Sequence, residues 1–160
     1  MLTTAKNFWL GNQYLHYITT SDNYTFVVEM ADDAWIEILQ QEYPHVVIGD
    51  ESLWFKLEVN GVSYTTATGY PTLGDSFSIL HGNYFSTYDS DNDHNTLNCA
   101  VKLGNGFWFG DINGACTTCN PNGILINSPY NTRNNIDDEV FWDDLAIWSP
   151  WHVQIWLERR

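Results

Sequence analysis

Apolar positions in "LGNQYLHYITTSDN" recur three and four residues apart, Leu15 and Ile18 at the first spacing, Tyr14 and Ile18 at the second. That spacing lines one face of a helix, and it predicts a short one over Gly11–Thr19, stopped by Ser21, Asp22 and Asn23. The period then changes. "YTFVVEM" alternates in strand fashion, and so does "LWFKLEVNG", with Phe55, Leu57 and Val59 sharing a face. The end of the chain, "WHVQIWLERR", alternates again, setting Trp151, Val153, Ile155 and Leu157 against His152, Gln154, Trp156 and Glu158. Between about 81 and 149 the periodicity fades, and Gly, Asn, Asp and Pro dominate. Irregular stretches of such length are functional or disordered; the many aromatic residues in this one predict an ordered, functional segment. No repeat, low-complexity tract or linker divides the chain, so its 160 residues form one domain with its own core.

Charge narrows the function. Acidic residues outnumber basic ones 20 to 6, for a formal net charge of −14. Nucleic-acid affinity rests largely on Lys and Arg neutralising phosphates, so a nucleic-acid partner is excluded, and an anionic membrane surface with it. No apolar run approaches the ~18 residues of a membrane span, and "MLTTAKNFWLGN" holds no signal-peptide core.

The candidate chemistry lies in "FSTYDSDNDHNTLNCA", where Asp89, Asp91 and Asp93 stand on alternate positions although their charges repel. A solvated loop would explain them; a hard cation held by oxygen ligands would explain them better. An EF-hand is ruled out, because the positions that need glycine and a closing glutamate hold His94 and Ala100. Asp91 and Asp93 remain as carboxylate ligands, with backbone carbonyls of the turn that follows. The three cysteines, Cys99, Cys116 and Cys119, lie close together. "CTTC" lacks the βαβ setting of a redox motif, and zinc on three cysteines and His94 lacks paired spacing. A disulfide from Cys99 to one of the other two fits better and implies an oxidising compartment, in weak agreement with the sequon Asn23-Tyr24-Thr25. No catalytic motif is present. Asp137, Asp138 and Glu139, with Asp143 and Asp144, read as an acidic, solvated loop, and Trp156 is the exposed tryptophan best placed to stack on a ligand.

In order along the chain, "NFWLGNQYLHYITT", "VVIGDESLWFKLEVNGVS", "LGDSF", "FSTYDSDND…NCA" and "GFWF…CTTCNPNG" resemble segments of the fibrinogen-like C-terminal domain found in fibrinogens, ficolins, tachylectins, angiopoietins and tenascins. The resemblance covers nearly the whole chain and implies an α+β fold. It would have a mainly antiparallel twisted sheet with short flanking helices (residues 1–80 and 151–160), a loop-rich calcium and ligand subdomain (81–150), and a C-terminal strand inserted into the interior of the main sheet. That strand would bury Val153, Ile155 and Leu157 against Phe26, Val28, Phe55 and Leu57. The family's N-terminal subdomain would be missing, leaving apolar surface near Asn7–Leu10 uncovered.

By the same resemblance, Ca2+ is expected on the carboxylates of Asp91 and Asp93 and the carbonyls of Asn95 and Leu97, with Asp89 and Asn92 bracing the loop. The disulfide becomes Cys99–Cys116, leaving Cys119 as a buried thiol or an intermolecular link. Lectin members hold acetyl groups beside this loop; the matching region is Leu103, the amides around Ala115 and Cys116, Thr117 and Ile136. The family's aromatic and imidazole groups are absent from these positions, and three residues are inserted between Trp108 and Cys116. Two functions stand open, neither enzymatic. One is a secreted, calcium-dependent, lectin-like module of innate immunity that binds glycans or acetylated ligands. The other is an extracellular protein-interaction or adhesion module in which calcium is structural. Homo-oligomers would form through N-terminal regions.

Overall fold

A computed structural model of the chain describes residues 9–31, 38–125, 138–143, 150 and 152–160. Helix α1 runs over Asn12–Ser21, one residue later at its start and two later at its end than the sequence predicts. Gly11 precedes it in a left-handed conformation (φ 88°), open to glycine without steric cost. At the other end the hydroxyls of Thr19, Thr20 and Ser21 donate back to the carbonyls of Leu15, His16 and Ile18. The bond to Ile18 satisfies an acceptor that a helix end leaves without a partner, and the other two add to carbonyls within the helix. Thr19 is also the anchor: its buried hydroxyl accepts the Ile48 amide at 3.0 Å, while His16 Nδ1 meets the Ile48 carbonyl at 2.8 Å. Those bonds dock α1 on strand β3 (Val46–Ile48).

The main sheet contains β1 (Tyr24–Ala31), β2 (Ile38–Tyr43) and β7 (His152–Arg159) in the order β2-β1-β7, all antiparallel. The C-terminal strand joins this sheet, with Leu157 opposite Phe26 and Ile155 opposite Val28. Among the described strands, however, it lies on the rim, and β1 is the interior strand. The burial expected of its apolar face is therefore incomplete: Val153 and Leu157 are half-buried and Ile155 is 40% exposed.

The segment 53–61 departs from a full strand. The Asp50 carboxylate accepts the Leu53 amide and caps a single 3-10 turn, Glu51–Leu53, and the Asp50 carbonyl accepts the Phe55 amide. Trp54 and Phe55 are thereby held in the left-handed region (φ 47° and 50°). Extended backbone begins only at β4 (Leu57–Val59), which pairs with β3 and buries Leu57 and Val59 while Glu58 faces out. Beyond it lie a 3-10 turn (Ser78–Leu80), helix α2 (Cys99–Leu103) and the short pair β5 (Cys119–Asn120) and β6 (Phe141–Trp142).

One core joins the sheet to the loop-rich part. Phe77 stacks on Phe26 at 5.0 Å and packs against Tyr43 and Phe107, and Phe107 leads on to Trp108 and Phe109. Buried indoles need a hydrogen-bond partner. Trp108 donates to the Phe55 carbonyl at 2.7 Å and Trp142 to the Gly74 carbonyl at 2.9 Å. Over 81–125 and 138–143 the irregular half is therefore ordered around its aromatic residues, as the sequence predicts, and its remaining residues lie outside the described ones.

Candidate functional site: an acidic loop beside an aromatic corner

The loop starts from a bridge between Ser86 and Phe107 that ties it to the core. Thr87 and Ser90 close a tight turn by exchanging backbone hydrogen bonds of 2.9 and 3.1 Å. Within it the Asp89 carboxylate accepts the Thr87 hydroxyl at 2.7 Å. Asn92 binds back twice, its side-chain amide donating to the Phe85 carbonyl and its main-chain amide to the Ser86 hydroxyl, each at 2.9 Å. Asp89 and Asn92 thus brace the loop.

Asp93 is different. It is 1% exposed, and its two carboxylate oxygens accept the amides of Asn95 and Cys99, each at 2.9 Å. Burial pushes its carboxyl above the ordinary aspartate range; the neighbouring Asp91 carboxyl pushes the same way, against the two amide donors. Two carboxyls thus converge at a point where charge is unfavourable, the kind of donor set that a hard divalent cation relieves. They do not suffice alone, for among the described residues no three His, Cys, Asp or Glu side chains meet as a metal-binding group. Main-chain or amide oxygens have to complete any shell. Asn95 uses its side-chain oxygen to accept the Leu97 amide at 3.1 Å, which fixes the course of the chain through 95–97.

Cysteine chemistry holds this arrangement in place. Cys99 is joined to Cys116, with α-carbons 5.6 Å apart, within the range a disulfide needs. Cys119 is a fully buried free thiol whose pKa burial raises well above its usual value. The zinc alternative is overturned because two of its ligands are consumed in the bridge. An intermolecular bond from Cys119 is excluded by its burial.

Three of the residues matched to the acetyl pocket are closed to solvent. Leu103, Cys116 and Thr117 are buried, and the Thr117 hydroxyl is spent on the Cys119 carbonyl. Ala115 is exposed in a hairpin with Ile112, and Ile136 lies outside the described residues. Of the acids read as a solvated loop, Glu139 is instead buried, Asp138 is half-buried and Asp143 is exposed, while 137 and 144 lie outside the described residues. Trp156 is half-buried.

Two cavities adjoin the loop. The larger, about 770 Å³, has Trp9, Phe85, Tyr88, Val101 and Asn105 in its wall. The smaller, about 300 Å³, lies between residues 91–95 and a pair of rings, Trp54 and Tyr84. Trp54 meets Tyr84 edge-on at 5.3 Å and 83°, and Tyr84 meets His94 at 5.5 Å and 52°. Sequence reasoning missed Trp54 and Tyr84. The available signal was a tryptophan directly after the Asp50-capped turn, in a segment too short to bury it as strand.

The family model for the C-terminal globular domain of fibrinogen β and γ chains matches residues 2–155. Human fibrinogen-like protein 1 is 30% identical over 159 residues, covering 91% of this chain and 44% of that protein. Human angiopoietin-4 is 35% identical over 127 residues, covering 79% and 23%. The fibrinogen-like globe domain of human ANGPTL2 superposes with a TM-score of 0.79 at 27% identity, over 94% of this chain and 65% of that one. The chain therefore spans less than half the length of these curated relatives.

Proposed function

The chain belongs to the family of fibrinogen C-terminal globular domains, and from that premise we propose that it is an extracellular recognition module which binds a protein partner and does no catalysis. The observation behind this reading is the Asp91–Asp93 pair, which lines an open cavity and is tied by the Asp93 carboxylate and the Cys99 amide to the Cys99–Cys116 bridge. A disulfide of this kind persists in oxidising compartments, which supports an extracellular site. Among the described residues no helix is long and apolar enough to cross a membrane.

Calcium belongs to the proposal. Its ligands would be the carboxylates of Asp91 and Asp93 and the carbonyls of Asn95 and Leu97. Bound there, the ion would neutralise the two carboxylates and lock the loop. The chain's own contribution is positional: Asn95 and Cys99 amides hold the Asp93 oxygens, Asp89 and Asn92 hold the turn before it, and the disulfide holds the helix after it. Similarity to an angiopoietin and a fibrinogen-like protein fits the protein-interaction reading. The burial of Leu103, Cys116 and Thr117 takes support from an acetyl-binding lectin.

The test is to present the calcium-loaded chain to a panel of secreted-protein and receptor ectodomains and to a glycan array, each with and without EDTA. Saturable capture of an ectodomain, with the glycan array blank, is expected. Binding confined to acetylated glycans would replace this reading by the lectin one, and silence on both panels would remove recognition altogether.

A further inference from the structure

We propose that the corner made by Trp54, Tyr84 and His94 over the loop 91–95 binds an organic cation, the guanidinium or ammonium group of a basic segment on the partner. The inference rests on the protein-recognition part of the reading above and goes beyond it by naming the chemistry that is recognised.

Ring geometry is the first ground. Trp54 and Tyr84 are 5.3 Å apart and nearly perpendicular, and His94, in the same cavity wall, is 5.5 Å from Tyr84. Cations are attracted to aromatic faces within ~6 Å of the ring centre, to tryptophan best. A sugar ring stacks flat on one face and gains little from two rings at right angles; a compact cationic head fits a corner. Calcium needs oxygen ligands, so the rings do nothing for the metal.

Charge is the second. The cavity is lined by Asp91 and Asp93 with Asn92 and Asn95, and among the described residues no lysine or arginine lines it. A chain of net charge −14 draws basic partners toward it.

Pre-organisation is the third. Trp54 is 54% exposed, yet its backbone is clamped at both polar groups, its amide donating to the Glu51 carbonyl at 3.0 Å and its carbonyl accepting the Phe85 amide at 2.9 Å. The Trp54 backbone is therefore tied directly to the segment that enters the loop. Trp54 and His94 both sit in the left-handed region (φ 47° and 59°), which disfavours side-chain-bearing residues. Such positions persist where the surrounding structure enforces them, and they cluster at binding sites.

The metal and the organic cation face the same two carboxylates, so calcium should weaken the organic cation by at least about threefold through loss of their charge. The rings remain, and binding should not vanish.

The experiment titrates the full chain with choline, N-acetyl-arginine amide and N-acetyl-lysine amide, following indole and tyrosine signals by NMR. The controls are 3,3-dimethylbutanol (the neutral isostere of choline), N-acetyl-glutamate amide and N-acetylglucosamine. We expect the arginine and lysine amides to shift Trp54 and Tyr84 saturably while the controls do not, and Trp54→Leu to weaken them about 2- to 30-fold. Comparison of choline with its isostere isolates charge without any variant, should Trp54→Leu fail to fold. Equal binding of choline and dimethylbutanol, binding of the glutamate or sugar probe alone, or no shift at all would overturn the proposal. Binding of choline without the arginine and lysine amides would overturn the partner assignment. Calorimetric titration of Ca2+ on the same sample separates the outcomes: calcium binding without cation binding sinks this inference alone, and cation binding without calcium sinks only the metal reading.

Discussion

The Asp93 carboxylate accepts the Cys99 amide at 2.9 Å, so the buried acid of the loop and the half-cystine of the only disulfide among the described residues are one mechanical unit. Whatever fixes Asp93 also fixes α2 and, through Cys116, the segment that follows Trp108.

Calcium should therefore be read out as stability. A ligand that binds only the folded state at a hundredfold excess over Kd contributes about 2.7 kcal/mol, roughly 5–10 °C in Tm for a domain of this size. Adding saturating Ca2+ to the chelated protein should raise Tm by that order, and Asp91→Ala or Asp93→Ala should abolish the rise. An unchanged Tm in the unmutated chain removes the ion from the loop.

The same carboxyl predicts a pH dependence of defined sign. The Asp93 pKa is raised in the fold, chiefly by burial, so in EDTA the folded state holds this proton more tightly than the unfolded one. Its stabilising effect is present below the ordinary aspartate pKa and is lost as pH rises through the folded value. In EDTA the Tm of the unmutated chain minus that of Asp93→Asn should fall as pH rises from the ordinary aspartate pKa through the higher folded one. In saturating Ca2+ the trend should reverse, because the metal binds the ionised form. A difference that rises with pH in EDTA contradicts the burial of this acid.

The Cys99–Cys116 bridge closes 17 residues, worth about 3 kcal/mol in the chain-entropy model. Reduction should lower Tm by roughly 6–12 °C. Denatured, unreduced protein should titrate one thiol, Cys119, and native protein none on the labelling timescale, since that thiol is buried and its pKa raised. Rapid native labelling would mean that this part of the core opens.

Gly123 and Gly114 make an internal contrast. A β-carbon at Gly123 would stand 2.3 Å from the Glu139 carbonyl, which accepts the Asn120 side chain and is held on both sides by the bonds of the Asp138 carbonyl and the Val140 amide to Ile124, so it cannot step aside. At Gly114 nothing lies within 4 Å and only the left-handed backbone resists, φ 88°. Gly123→Ala should cost upwards of about 2 kcal/mol, against about 1 kcal/mol for Gly114→Ala. Equal losses in denaturant melts would show that the 120–124 segment does not approach Glu139 so closely.

How far the sequence reveals this architecture depends on what each element buries. Helix α1, β1 and β7 are legible because apolar spacing carries them. Strand β2 is not, because Gln40, Gln41 and Glu42 are buried polar residues. Their side chains bond Thr68, the Ser63 carbonyl and the Ala67 amide, each at 2.6 Å, and hydrophobic periodicity cannot register such a strand. At the site, the alternating aspartates are visible because their neighbours in sequence are their neighbours in space. The Trp54–Tyr84 corner is harder to see, since its two segments are remote in sequence and are joined in space by backbone bonds such as Phe85 to Trp54 and Leu57 to Asn83.

The C-terminal strand offers the last test. It pairs with β1 from Tyr24–Arg159 to Ala31–His152 and is fastened at its end by the Arg159–Asp22 ion pair at 2.5 Å. Val27, Val28 and Met30 of β1 are almost wholly buried, so deleting residues 152–160 should uncover them and abolish cooperative melting, although β7 itself is only the rim. Rim position has a second consequence. Among the described strands, β7 offers an unpaired edge with Ile155 40% exposed, and long apolar edges invite pairing with another chain. A charge on such an edge suppresses that pairing at little cost to the fold. Ile155→Lys should therefore change stability by less than about 1 kcal/mol and lower concentration-dependent association in sedimentation. If Ile155→Lys instead unfolds the domain, β7 is covered on that face, and its place at the rim of the sheet is wrong.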